Sequence, residues 1–149
     1  MAKRHTFLIA LGLISAIGAG SAFAQTDADM NSNLDSLFDS HAPYQAFFAK
    51  LKKAVSTDDK ATVAAMVDYP FQAHIKGKAQ KIKDAGQFTA AYDQIVTDKI
   101  KAAVAKQTYA KLFANAQGVM IGNGEVWFSG VCSDNSCKQQ TVKVTAINN

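Results

Sequence analysis

Residues 7–23 (FLIALGLISAIGAGSAF) form an apolar run without a charge, preceded by Lys3 and Arg4 and closing on Ala22, Phe23 and Ala24. A cationic start, an apolar stretch and small residues three and one before a cut are what a signal peptidase accepts. Residues 1–24 therefore read as a cleavable export signal with the cut before Gln25. The competing reading, a membrane span, needs about 20 apolar residues, and the strongly apolar part here, residues 7–17, is shorter. Because the residue after the cut is Gln25 and not cysteine, no lipoprotein anchor is expected, and the mature chain is predicted to be periplasmic or secreted. It has 125 residues, enough to bury one core and not two.

Losing Lys3 and Arg4 leaves 14 lysines, no arginine and 12 acidic residues, a net charge of about +2. Nucleic-acid readers lean on the planar fork of arginine, so a nucleic-acid partner is not expected. The lysines are spread along the chain, and the nearest thing to a patch is Lys76, Lys78, Lys81 and Lys83. Residues 25–39 begin with QTDADMNSN, which is polar with almost no apolar content, and are predicted to be a mobile leader. The folded domain is predicted to occupy residues 40–149, with no internal repeat.

Cys132 and Cys137 are the only cysteines. In an oxidising compartment a pair this close is most simply a disulfide across a tight loop. The alternatives are weaker: zinc wants about four ligands, and only two thiols and three histidines exist, while redox pairs are normally spaced C-x-x-C. No metal and no cofactor is expected.

Periodicity orders the elements. Tyr44, Phe47, Phe48, Leu51 and Val55 recur at three and four, one stripe of a helix that starts near Ser40, His41 and Pro43. A short helix from Asp58 or Asp59 to Val67 is closed off before Pro70. Residues 71–75 and 79–83 read as a hairpin around Lys76, Gly77 and Lys78. Asp84 with Gln87 opens a helix whose apolar face is Phe88, Ala91, Tyr92 and Ile95, and Thr97 and Asp98 open another. Residues 118–121, 125–132 and 138–147 then read as a three-stranded meander, its first turn being Gly122, Asn123 and Gly124. The sum is a single α+β domain, helices packed on an antiparallel sheet.

Two stretches, residues 64–97 (AAMVDYPFQAHIKGKAQKIKDAGQFTAAYDQIVT) and residues 112–128 (LFANAQGVMIGNGEVWF), resemble those of small secreted bacterial proteins of the nuclear-transport-factor-2-like (NTF2-like) class. The resemblance implies a cone, a strongly curved sheet wrapped around a helix to leave a pocket. That superfamily hosts enzymes, carriers and protein-binding modules, so the fold alone does not choose a function.

Pairing Cys132 with Cys137 across their turn places Trp127 opposite Val142 and Glu125 opposite Val144. Trp127, Val131, Val142 and Val144 then share one face, and Val126 and Phe128 share the other with Thr141 and Lys143. Both faces are partly apolar, which suits helices on one side and a homodimer partner on the other; a β-bulge that shifts the register explains the pattern equally well. Trp127, Tyr92, Phe71, Met120, Phe88 and Tyr69 are the candidate ligand-binding residues, and each also fits a plain core position. His74 and Asp68 are the weak catalytic candidates, since enzymes on such cones place a His or Asp in the pocket. His74 lies on a strand flanked by lysines, where it can simply face water, and Asp93 points about 100° away from Tyr92 on a helix. G-x-S-x-G and H-E-x-x-H do not occur.

The leading expectation is a non-catalytic exported binding module that holds a small apolar ligand or a protein partner. The alternatives are a small lyase or isomerase using His74 or Asp68, and an envelope inhibitor or immunity-type protein acting through exposed loops such as residues 133–136. The intact mass of protein recovered from outside the cytoplasm is expected to correspond to a chain starting at Gln25; a mass that retains residues 1–24 overturns the signal reading.

Overall fold

The computed structural model describes residues 24–149, so nearly all of the expected export signal lies outside the described residues. The chain first forms helix α1 (Asp27–Phe38). Thr26 starts it through a capping box: the Thr26 side chain accepts from the Asp29 N–H and the Asp29 carboxylate accepts from the Thr26 N–H. Asp39, at φ 64°, ends it. Met30 and Leu34, one turn apart, are fully buried, and α1 packs on a short 3-10 turn (Tyr109–Lys111), where Tyr109 Oη donates to Asn31 Oδ1 at 2.8 Å. The mobile leader is thus corrected to a docked helix. Two apolar side chains at i and i+4 suffice to hold it, although their neighbours are polar.

Helix α2 (Ala42–Ser56) carries Pro43 in its first turn and buries Tyr44, Phe48, Leu51, Ala54 and Val55. Helix α3 (Lys60–Ala65) is capped by Asp59, which accepts from the Thr62 N–H at 3.0 Å. A cis Tyr69-Pro70 bond leads into β1 (Phe71–Ile75), paired antiparallel with β2 (Lys78–Ile82) around Lys76 and Gly77, both at positive φ. Three helices follow: α4 (Ala85–Ala90) behind its cap Asp84, α5 (Tyr92–Ile95), and α6 (Asp98–Lys106). The single apolar helix expected over Phe88 to Ile95 is broken at Ala91.

Strands β3 (Phe113–Asn115), β4 (Gly118–Ile121), β5 (Val126–Cys132) and β6 (Gln140–Ile147) form an antiparallel meander in sequence order. It has four strands where three are expected, because β3 is only three residues long and too short to show a period. The chain just before β1 joins the meander through a parallel bridge between Val67 and Val144. The result is one mixed α+β domain with antiparallel sheets; among the described residues no helix is long and apolar enough to cross a membrane.

The β5–β6 register differs from the expected one. Cys132 pairs with Gln140 and Phe128 with Val144, and a bulge between Trp127 and Phe128 places Trp127 opposite Ala146. The cause lies in the loop closed by the Cys132–Cys137 disulfide. The Asp134 carboxylate accepts from the N–H groups of Ser136 and Cys137, Cys137 sits at φ 48°, and Ser133 N–H reaches the Gln139 carbonyl. Cys137 is thereby turned out of the ladder. Moving Cys132 from Cys137 to Gln140 is an odd shift, which exchanges the faces of β6 relative to β5. Val126, Phe128, Val144 and Ile147 now share the buried face, and Trp127 is left on the other.

Leu34→Ala is expected to lower stability by about 2 to 5 kcal/mol, the cost of emptying a fully buried leucine site. Urea denaturation of the two proteins checks it; equal midpoints mean that α1 contributes nothing to the fold.

Candidate functional site

The six candidate ligand residues do not meet at one site. Phe88 stands at the centre of an edge-to-face cluster with Tyr69, Phe71 and Tyr92, ring centroids 6.4, 5.9 and 6.2 Å away. Phe71, Phe88 and Tyr92 are fully buried and fill space between the β1–β2 hairpin and helices α4 and α5. Tyr69 Oη donates to the Ala64 carbonyl at 2.8 Å. Trp127 and Met120 lie elsewhere, opposite one another on neighbouring strands, with Met120 in turn opposite Phe113. Phe113 is half exposed and meets Trp127 edge to face. The aromatic content of the chain is therefore divided between a packed interior and an outer sheet stripe.

His74 is exposed on the outward side of β1, where its carbonyl accepts from Asn149 and its ring has no hydrogen-bond partner among the described residues. Asp68 is half-buried and engages the fold through its backbone, its N–H donating to the Val144 carbonyl at 2.9 Å. No described hydrogen bond joins His74 and Asp68 to each other or to a third titratable side chain. Among the described residues no three His, Cys, Asp or Glu side chains gather as metal ligands.

An open groove of about 930 Å³ lies between α2 and α6. Phe48 and Val55 from α2, Val104 from α6, and Tyr109 form its floor, and Ala49 and Ala105 its walls. They reach it by helical spacing: 48, 52 and 55 on α2, and 101, 104 and 105 on α6, each recur at three and four. Lys52, Lys53 and Lys101 rim the groove, and no carboxylate lines it. Two of the lysines are held in place. Lys52 Nζ donates to the Gln107 carbonyl just past the end of α6, with its ammonium 5.9 Å from the Phe48 ring centroid. Lys101 Nζ pairs with Asp58 at 2.8 Å, which holds the Asp58 carboxyl below the usual carboxylate range and raises the Lys101 ammonium, the hydrogen bond being the main cause of both. Lys53 is exposed and forms no ion pair among the described residues.

Sequence reading missed this groove, although its signal lies in the same stripe that predicts α2. Lys52 and Lys53 interrupt an apolar face, and Lys101 sits one turn before Val104 on α6. Lys60 and Lys101 also stand near the Tyr92 ring, 5.3 and 5.6 Å from its centroid. Lys60 pairs with Asp93 at 2.7 Å, so Asp58, Lys101, Lys60 and Asp93 form a chain of charges over that residue. No family model, curated protein or solved structure matches the chain.

The Tyr92 hydroxyl is the one buried side-chain polar atom without a hydrogen-bond partner among the described residues. Burial, reinforced by Asp58, Asp93 and Asp59, pushes its ionisation up to about 12. Burial, with a contribution from Asp84, pushes Tyr69 up to about 12 as well. Both phenols stay protonated in the fold while an unfolded chain ionises near pH 10. Their contribution to stability is therefore constant below about pH 10 and is lost as pH rises from about 10 through about 12. The double variant Tyr69→Phe, Tyr92→Phe is expected to flatten the fall in the urea midpoint over that window. Tyr92→Phe alone is expected to hold or raise the midpoint at neutral pH, because an unpartnered buried hydroxyl costs about 1 to 3 kcal/mol. A loss above about 1 kcal/mol in that variant means that the hydroxyl has a partner.

Proposed function

We infer that this is an exported, non-catalytic binding domain whose α2–α6 groove takes a small amphipathic anion, an apolar chain or ring system ending in a carboxylate, sulfate or phosphate. The observation that carries the reading is an apolar floor under three lysines with no carboxylate in the lining. The floor supplies transfer free energy, about 25 cal/mol for each Å² of apolar ligand surface removed from water. The lysines place point charges where one end of the ligand leaves the floor, and long apolar stems under ammonium heads suit a boundary of this kind. A volume of about 930 Å³ falls within the range of small-molecule sites.

The same reading takes the domain as an NTF2-like cone and takes residues 1–24 as its export signal. Supporting the cone are the order of helices, hairpin, helices and meander, and the parallel bridge that sets β1 beside β6. In such a cone the interior is occupied by Phe88, Phe71 and Tyr92, and the ligand surface lies outside, between helices. The disulfide accords with an oxidising compartment.

Ala105→Trp is expected to fill the groove from an exposed wall position. It should weaken binding of a fluorescent fatty-acid analogue at least tenfold while leaving the melting temperature within a few degrees. Lys53→Glu should weaken the same probe by placing a like charge at the rim, and should leave a neutral alcohol analogue of equal chain length unaffected. Equal affinities in wild type and both variants overturn the proposal.

A further inference from the structure

The β1–β2 hairpin carries Lys76, Lys78, Lys81 and Lys83 within residues 71–83, a segment without an acidic residue. All four lysines are exposed. None takes part in the ion pairs formed among the described residues, which use Lys60, Lys101 and His41. Four of the 14 lysines after residue 24 thus lie on one hairpin, and all 12 acidic residues lie elsewhere. For a chain near +2 overall, that is a strongly uneven distribution of charge.

The hairpin is held firmly at its base and is free at its tip. Phe71, Ala73, Ile75 and Ile82 point inward and are buried, while the pairs Gln72 with Lys81 and His74 with Ala79 face outward. Lys76 and Gly77 turn the chain at φ 52° and 74°, and a side-chain carbon built on Gly77 meets nothing within 4 Å. The four lysines stand exposed along a protruding hairpin, and the grooves lined by other elements do not include them.

We propose that the β1–β2 hairpin docks this domain onto an anionic lipid bilayer. A protruding cationic edge gains most from many anions spread over a plane, and lysine's compact, non-directional charge suits mobile headgroups better than a fixed bidentate target. Clusters of four or more lysines near an anionic leaflet gain about fivefold in binding from each lysine, and the gain falls off within a Debye length. An alternative anionic surface is a second copy's α1 and its C-cap, with Asp27, Asp29, Asp35 and Asp39. Two of those are already engaged: Asp29 with Thr26, and Asp35 with the His41 ring at 2.8 Å. A second copy offers a few carboxylates at fixed positions, two of them already holding hydrogen bonds, whereas a bilayer presents mobile anions to all four lysines at once, so the bilayer is the better complement. The proposal is independent of what the α2–α6 groove binds.

The test is cosedimentation with vesicles, using protein purified in the form the producing cell processes it to. Wild type is expected to sediment with phosphatidylcholine vesicles containing phosphatidylglycerol, to stay in solution with phosphatidylcholine alone, and to be released by high salt. Each Lys→Gln change at 76, 78, 81 or 83 should weaken binding about fivefold. The combined change should abolish binding without moving the melting temperature. A charge-matched control, Lys50→Gln, Lys99→Gln, Lys106→Gln and Lys138→Gln, should bind more tightly than the combined hairpin variant. Equal loss in the two variants overturns the proposal, because net charge would then suffice. So does salt-sensitive self-association of wild type that the hairpin changes abolish, which would assign the lysines to a second copy.

Discussion

Val144 is hydrogen-bonded through its main chain to the segment that leads into β1. Its N–H donates to the Met66 carbonyl at 2.8 Å and its carbonyl accepts from the Asp68 N–H at 2.9 Å. On the other side of β6 it stands opposite Phe128, and both side chains are fully buried. A two-stranded hairpin is marginal by itself in water, so β1 and β2 depend on this junction and on the aromatic cluster beneath them. The bulge serves the same end. Val144 and Ile147 are three apart and in a regular strand would face opposite sides, but the extra residue, Thr145, lets both point into the core.

How much of this was legible in the sequence depended on the range of the interaction involved. Helix α2, the hairpin at Lys76 and Gly77, the cap at Asp84 and the strands after Gly118 follow from local period and turn chemistry, and they sit where these signals place them. The β5–β6 register did not follow, because the loop between the cysteines is a turn hydrogen-bonded to the Asp134 side chain that holds Cys137 outside the ladder. The two cysteines locate a reversal; they do not say how many residues the reversal takes. Helix α1 failed for a different reason. Its capping box at Thr26 and Asp29 was readable, but the weight of Met30 and Leu34 comes from partners near Tyr109, far along the chain.

The candidate site was the least legible part. Aromatic residues at helical and strand spacing answer to the core before they answer to a ligand, and the buried set among the described residues contains no charged side chain. Tyr92, Phe88 and Phe71 are accordingly consumed by packing. Trp127 alternates with the buried Val126 and Phe128 along β5 and so lies on the outer face, beside Met120 and Phe113. The groove arises where two helices with incomplete apolar stripes run side by side. Small Ala49 and Ala105 leave room, and lysines close the rim. Neither helix shows this alone, since a groove is a property of the pair.

Two of the three rim lysines share a further property that bears on the proposed binding. Free lysines extend into water and lose side-chain entropy when a ligand orders them, on the order of 0.5 to 1.5 kcal/mol each. Lys52 is tethered to the Gln107 carbonyl and Lys101 to Asp58, so both side chains are already ordered at the edge of the groove. The tethers are weak in themselves. Asp58 and Lys101 form a solvent-exposed pair, a kind of interaction that adds little to stability, so sharing Lys101 with the proposed anion costs little. The carbonyl that holds Lys52 carries no net charge to compete for that anion. For the proposed anionic ligand, local pairing that looks like surface decoration would act as preorganisation, ordering the lysines at the edge of the apolar floor before binding.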